Sequence, residues 1–315
     1  MERQTVERPN ILHLFTPGRQ ASPFDVNMAV DAGFQVVVPY CDVGMDNVAA
    51  LTQDAIFSRG PKGVRKTGIF IGGRDVVMAS DMLELARRSM FPPFVVSVFA
   101  DPSGSYTTAA AMIACVERQM RKVHNTSFDG KRVLVLGGTG AVGRIAGVLC
   151  ARLGAIVRLG SHSDQSRARQ AADLLSNRFG VGLQGVLADS ATLRPELGDA
   201  DIVLSAAAAG VQVIGKEDLA AAGNLLVAAD VNAVPPAGIA GVDPQQDGAA
   251  IADSGAVGIG ALAIGNVKYQ VQNRLFGRML EASKAVFLGG PEALEMAREL
   301  VADKADKSNK ADKAS

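Results

Sequence analysis

The chain of 315 residues has no tryptophan, and aromatic residues make up only 5% of it. A stacking platform for nucleic acid or peptide has little to be built from. Charge of one sign is not in excess either: 32 Lys and Arg face 32 Asp and Glu. Without a cationic surplus, phosphate-driven nucleic-acid binding has no electrostatic basis, and no nucleic-acid partner is expected. Cysteines are three, Cys41, Cys115 and Cys150, far apart and with no CxxC pair. That spacing argues against a disulfide framework or a metal site and for a reducing cytoplasm. The first ten residues carry Glu2, Arg3, Glu7 and Arg8 and have no apolar stretch, so no signal peptide is expected there. No uninterrupted apolar run approaches the roughly 18–20 residues needed to cross a bilayer, so no membrane partner is expected.

What is present is apolar material, 48% of the chain, and 34 glycines. It is arranged as short apolar strand, then helix, repeated. Strands are predicted over 11–15, 34–40, 67–71 and 94–100. Helices are predicted from Ser22-Pro23 (Ser22 as N-cap), over 46–57, 75–90 and 107–123. Runs such as VVV and FVVSVF read as strands buried on both faces, and the alternation as parallel sheets. The polar segment 124–131 breaks the rhythm and is read as a joint. A second series follows, with strands at 132–136, 155–159, 185–188, 202–206 and 225–229. Helices are predicted over 141–153, 164–178, 268–288 and 291–301. The expected fold class is α/β, with two α/β domains and a C-terminal helix returning to the first. The expected divisions are 1–125 plus 270–302, 126–269, and a disordered tail 303–315 of Ala-Asp-Lys repeats.

Gly138-Thr139-Gly140-Ala141-Val142-Gly143 follows a five-residue apolar strand and opens an apolar-periodic helix. In that context GxGxxG predicts a dinucleotide-binding loop of Rossmann type: a tight turn, a close approach of pyrophosphate to backbone, and close helix–strand packing. The next strand should deliver the ribose contact. It ends in Gly160-Ser161-His162-Ser163, with no acid until Asp164. Small hydroxyls leave room for a 2′-phosphate, with His162 or Arg167 to pair with it, so NADP is expected to be accepted and NAD also to serve. The later strand ends in small residues including Ala206, which would let the nicotinamide side sit against the backbone.

Asp101-Pro-Ser103-Gly104-Ser105-Tyr-Thr107-Thr108, LGGTGAVG, Asp230-Val-Asn232-Ala-Val-Pro235-Pro236 and Gly260-Ala-Leu-Ala-Ile264-Gly265-x-x-Lys268 occur in that order. The set, with Asp46-Asn47, Arg59-Gly60 and Gly72-Gly73-x-Asp75, resembles the NAD(P)-dependent methylene-tetrahydromethanopterin dehydrogenases of methylotrophic bacteria, over about residues 10–300. The resemblance implies hydride transfer from the methylene bridge of a reduced pterin to NAD(P)+, in one-carbon (formaldehyde) oxidation, by a homo-oligomer. Ser161-His162-Ser163 replaces the Arg-Lys of the folate-accepting member type, which implies tetrahydromethanopterin with both NAD and NADP.

That chemistry moves no proton and asks for no general base. It fits a chain whose histidines, His13, His124 and His162, stand in no triad or metal spacing. Asp101, at a strand end, would stabilise the product cation. Ser103, Gly104, Ser105, Thr107 and Thr108 would offer hydroxyls and N–H groups to the pterin, or Ser105 and Thr107 simply cap a helix. Lys268 is predicted to begin a helix, where a cation opposes the macrodipole, and the resemblance places a lysine there to orient the substrate. Phe24 and Asp25 face the pterin, or Phe24 is core. Asp230 and Asn232 line the cleft or form an Asx-turn before the prolines. Arg59 reaches the substrate's anionic end or makes a surface ion pair. Three alternatives stand beside this reading. A methylene-tetrahydrofolate dehydrogenase/cyclohydrolase would need Tyr-x-x-x-Lys, which Tyr40, Tyr106 and Tyr269 do not provide. A shikimate dehydrogenase would need a Lys/Asp dyad in its first domain. A non-catalytic dinucleotide sensor would need a partner surface or DNA-binding segment.

Overall fold

The computed structural model describes residues 8–252 and 254–312, without the side chains of Lys62 and 303–312. The strand–helix alternation is realised. The first stretch gives β1 (Ile11–Phe15), α1 (Pro23–Asp31), β2 (Val36–Tyr40), α2 (Val48–Phe57), a short α3 (Gly60–Gly63), β3 (Thr67–Ile71), α4 (Val76–Arg88) and β4 (Ser97–Ala100). Next come α5 (Ser105–His124), β5 (Arg132–Leu136), α6 (Ala141–Arg152), β6 (Ile156–Ser161), α7 (Gln165–Phe179), β7 (Leu183–Leu187) and α8 (Leu193–Gly198). The remainder is β8 (Ile202–Ser205), α9 (Lys216–Leu219), β9 (Val227–Asp230), β10 (Asp247–Ala250), β11 (Val257–Ile259), α10 (Ala261–Glu281), β12 (Phe287–Leu288) and α11 (Gly290–Asp312). No helix of the described residues is long and apolar enough to cross a membrane.

The chain divides into two compact units, Met1–Gly104 with Gln272–Glu292, and Ser105–Val271 with Ala293–Ser315. The polar segment 124–131 therefore lies inside the second unit. The reason is α5, whose buried run from Ala109 to Val116 packs with α6, β9 and β11 of that unit.

The first unit is a five-stranded sheet in the order β12-β4-β3-β1-β2, parallel throughout. Strands β3 and β4 are buried at every position, as the apolar residues that follow Thr67 and Ser97 require. Its core is a set of ring contacts among Phe34, Phe70, Phe99 and Phe276, with centroids 5.1–6.2 Å apart. Phe276 comes from the second half of α10, so the C-terminal helix does return to the first unit. From β1 the chain crosses to β2 on one side and then to β3 on the other. The strand order thus reverses between β1 and β3.

The second unit is a seven-stranded sheet, β10-β11-β9-β8-β5-β6-β7, parallel except for β10. Read from β7 to β11, this is the doubly wound order of a dinucleotide-binding fold, with its reversal between β5 and β8. Leu134, Leu136, Val203, Ile214, Ala228 and Ile239 belong to one core cluster. At the amino ends of the strands, Arg132 makes a two-pronged pair with Asp201, at 3.0 and 3.1 Å.

Two expectations are corrected. Helix α10 starts at Ala261, so Lys268 lies well inside it rather than at its beginning. The tail continues as helix α11 to Asp312, while residues 313–315 lie outside the described residues. Extending an existing helix needs no new nucleus, and alanine and lysine are good helix formers. Ser22 does occupy the N-cap position before Pro23, but its hydroxyl makes no cap bond. Of the cysteines, Cys41 is exposed, Cys115 and Cys150 are buried, and burial pushes the Cys150 thiol up.

Candidate functional site

In the second unit the turn from β5 to α6 is built by glycines that no other residue could replace. Gly137 has φ +71°, and a Cβ there would collide with the carbonyl of Ala206. At Gly138 a Cβ would lie 2.9 Å from Leu159 Cα, and at Gly143 2.9 Å from Gly138 Cα. The turn is thus pressed between β6 and β8 at the point where the sheet order reverses. The first bond of α6 runs from Arg144 N to Gly140 O, 2.9 Å. The N–H groups of Ala141, Val142 and Gly143 precede it in the first turn, where an α-helix has no partner for them. Thr139, Ala141 and Val142 are partly exposed and Gly140 is exposed. Bare backbone, positive helix end and absence of Cβ together fit a pyrophosphate.

At the end of β6, Ser161 is buried, and His162, Ser163 and Arg167 are exposed. The acid in this segment, Asp164, is already engaged. Its carboxylate accepts from Arg167 N at 3.0 Å as the N-cap of α7, and its N–H donates to Ser161 Oγ at 3.3 Å. No carboxylate from 161–163 opposes a phosphate on the adenosine ribose.

The loops after β8 and β9 are tied by side chains. Asp230 is 2% exposed, and its carboxylate accepts from Asn232 N (3.1 Å), Gly238 N (2.7 Å) and Ile239 N (3.3 Å). Asn232 Oδ1 accepts from Gly210 N and Val234 N, both at 3.0 Å, and its amide donates to Pro236 O. The two residues form the Asx-type turn and also hold the loop that follows Ala206. Beside them Ser205 Oγ is buried without a hydrogen-bond partner among the described residues. A Cβ at Gly238 would lie 2.9 Å from that hydroxyl and 2.7 Å from Asp230 Oδ1. Sequence reasoning missed Ser205 and Gly238. The signal was a serine ending a strand that stands next to the phosphate-loop strand.

In the first unit the polar groups gather at the carboxyl ends of β1, β3 and β4, on either side of the reversal. Thr16, Asp25, Asp101 and Gln272 are all buried. Gln272 donates from Nε2 to Asp25 Oδ1 at 3.3 Å. A Cβ at Gly72 would stand 3.7 Å from Asp25 Oδ2. Asp101 N donates to Ile71 O, which fixes the end of β4 against β3. Ser103, at φ +52°, donates its hydroxyl to Gly73 O at 2.8 Å, and Gly104 follows at φ +64°. Phe24 is 47% exposed, so it is not core. Thr16 and Gln272 were not foreseen. Gln272, fully buried beside Val271, Leu275 and Phe276 in a helix of apolar periodicity, carried a readable signal.

Ser105 and Thr107 open α5 and are fully buried, so they do not form a surface turn; Thr108 is partly exposed. Lys268 is partly exposed within α10, which removes the macrodipole reason for singling it out. Arg59 donates to the carbonyls of Pro9 and Lys66 and to Thr67 Oγ1, at the amino end of β3 and away from the carboxyl-end groups. His13 meets Tyr40 Oη at 3.1 Å, and burial, then Arg59, holds its imidazole below the ordinary range. No group of three or more metal-ligating side chains occurs among the described residues.

Two matches bear on this geometry. Residues 23–103 fit the family model described as methylene-tetrahydromethanopterin dehydrogenase, N-terminal. The chain is 47% identical to the NAD(P)-dependent methylenetetrahydromethanopterin dehydrogenase of Methylorubrum extorquens, over 92% of its own length and 98% of that protein's. The chain belongs to the methylene-tetrahydromethanopterin dehydrogenase family. A second family relative from the same organism, Bifunctional protein MdtA, is 34% identical over 92% of this chain and 98% of its own. Among solved structures, shikimate 5-dehydrogenase from Listeria monocytogenes, in complex with shikimate and NAD, is similar at 12% identity. It has a TM-score of 0.49, over 93% of this chain and 96% of that one.

Proposed function

We propose that the chain oxidises methylene-tetrahydromethanopterin to the methenyl form with NADP+ or NAD+. The observation that carries this is the 47% identity, over nearly the full length of both chains, to a dehydrogenase of that name. When bound, NAD(P)+ supplies the two-electron acceptor. One C–H bond of the methylene bridge breaks, both its electrons leave with the hydrogen as hydride, and the positive charge spreads over N–C–N. No proton is released, so the chain has no need of a general base.

Towards the dinucleotide its residues have three tasks. Gly138, Thr139, Gly140, Ala141, Val142 and Gly143 hold the pyrophosphate. Ser161, His162, Ser163 and Arg167 accept a ribose with or without its phosphate. Asp230 and Asn232 keep the loop after Ala206 in place for the nicotinamide side. We assign the pterin to the first unit, at Phe24, Asp25, Asp101, Ser103 and Gly104, with Ser105, Thr107 and Thr108 opening the next helix. There the carboxylates of Asp25 and Asp101 are oriented before the cation forms, which favours it without reorganisation. Lys268 orients the substrate. Donor carbon and acceptor ring must meet at roughly 3–3.5 Å with water excluded. A homo-oligomer in the cytoplasm, serving one-carbon oxidation in a methylotroph, completes the reading.

The test is to mix the protein with methylene-tetrahydromethanopterin and either nucleotide and follow the reduced-nicotinamide absorbance band. Turnover is expected with both nucleotides. Turnover confined to the tetrahydrofolate derivative would transfer the reading to folate, and no turnover with either pterin would leave a dinucleotide sensor.

A further inference from the structure

We propose that the first unit carries a second small-molecule site, at the amino-terminal end of its sheet, for an organic anion with an apolar body. The cavity there holds about 550 Å³, the size of a small-ligand pocket. Its walls are largely apolar, with Val64, Pro92, Pro93, Val95, Met279 and Ala282 among them. Its floor includes Ser97, the first residue of β4, whose hydroxyl donates to Met279 O (3.3 Å) and accepts from Val286 N (3.2 Å). The floor is therefore satisfied and fixed. Asp25 and Asp101 stand at the other end of the strands, so this cavity is separate from the pterin region.

Charge decides what fits. Two cations line the cavity, Arg65 from the segment before β3 and Lys284 from the segment after α10, and no carboxylate lines it. Among the described residues neither cation makes a hydrogen bond or an ion pair. Lys284 follows the carboxyl end of α10, where a cation is favourable in its own right. Arg65 comes from a different element, the short 3-10 turn Val64–Lys66 that leads into β3. Nearby, Arg59 donates only to carbonyls and a hydroxyl, and Arg8 donates to Arg59 O. Burial, then the Arg8 charge, lowers the Arg59 guanidinium. Arg65, Lys284, Arg59 and Arg8 thus bring four cations to this end of the sheet. Phe91 and Phe94 flank the proline pair, and with Phe57 they form a cluster of rings 5.5–6.0 Å apart. Phe57 is 51% exposed and Phe91 49%. The complement of such a surface is a carboxylate or sulfonate on an aromatic or aliphatic body. The anion would meet the two cations and the body would cover proline and valine.

Anilinonaphthalene sulfonate is the probe, titrated by fluorescence into the full chain with NADP+ saturating, so that the dinucleotide loop is closed to it. Uncharged phenylnaphthylamine is the control. Saturable binding of the sulfonate is expected. It should weaken about tenfold in Arg65→Gln/Lys284→Gln and further in Arg65→Glu/Lys284→Glu, with the neutral dye and the turnover rate little changed. Ala282→Phe should exclude both dyes. Sulfonate affinity that ignores the charge variants would overturn the proposal, as would displacement by NADP+. So would a change of oligomeric state in the charge variants with dye affinity intact, because the face would then be an interface between copies.

Discussion

The two sheets present different parts of the chain at the points where their strand order reverses. Both are parallel apart from β10, both reverse strand order next to the first strand of the unit, and both collect polar groups at the carboxyl ends. In the second unit the reversal is lined by backbone: Gly137, Gly138, Gly140 and Gly143 keep side chains out of the turn. In the first unit the reversal is lined by side chains: Thr16, Asp25, Asp101 and Gln272, each buried. Every dinucleotide has the same pyrophosphate, which backbone can hold. A pterin has a particular pattern of ring nitrogens and carbonyls, and one carbon that becomes cationic, which call for side chains of chosen charge.

Four measurements would break or sharpen that contrast, and a fifth gives the scale of a change outside it. The largest effect is expected from Gly143→Val, which forces side-chain atoms against Gly137 and Gly138. NADP+ affinity by calorimetry should fall about a thousandfold, or ~4 kcal/mol. Retained affinity would mean that the backbone is not the recognising element. Asp230→Ala leaves three N–H groups without their acceptor and should cost about 3 kcal/mol in a denaturant titration. Asp230→Asn should recover part of that loss.

Asp101→Asn should lower kcat/KM for the pterin about a hundredfold, with the Kd for NADP+ within about twofold. If NADP+ affinity fell instead, the division of labour between the units would be lost. Ser161→Asp places a carboxylate where none stands. It should lower kcat/KM with NADP+ about tenfold and spare NAD+, because a like charge opposes the phosphate.

The smallest effect belongs to Glu84, a surface residue far from either contrast. A hydrogen bond from Arg87, opposed by slight burial and aided by Arg88, lowers its carboxyl from 4.5 to about 2. A carboxyl lowered in the folded state stabilises above its unfolded value, and that contribution fades as pH falls from about 4.5 towards 2. Both arginines are largely exposed, so Glu84→Gln should cost only about 0.5 kcal/mol at neutral pH and less in high salt.

The same contrast explains how much was readable from sequence. The second unit announced itself, because a backbone device needs glycines at fixed offsets and these leave a pattern. Strand β5 and the start of α6 were placed to the residue. The first unit's strands were readable as apolar runs, but its polar lining was only partly so. Thr16 is a single polar residue whose meaning comes from folding, which brings positions far apart in sequence to one end of the sheet; Gln272 was legible only as a polar break in an apolar helix face. The start of α10 was missed because glycines at 258, 260 and 265 suggested a loop. Gly260 is fixed instead by the close approach of Pro244, and Gly265 is tolerated inside the helix. The joint at 124–131 was misread because polarity marks exposure, and an exposed turn can lie within a unit as easily as between two. Asp164, the first acid after β6, is spent on capping a helix.

The distribution of thiols has a practical consequence. With Cys41 at the surface and Cys115 and Cys150 inside, one sulfur should react with a disulfide reagent in the native protein and three once the chain opens. The second and third equivalents then act as an internal clock. Cys150 lies in the last turn of α6, the helix that the glycine turn opens, so its rate of labelling reads how often that helix lets go of the sheet, and how far a bound nucleotide slows it.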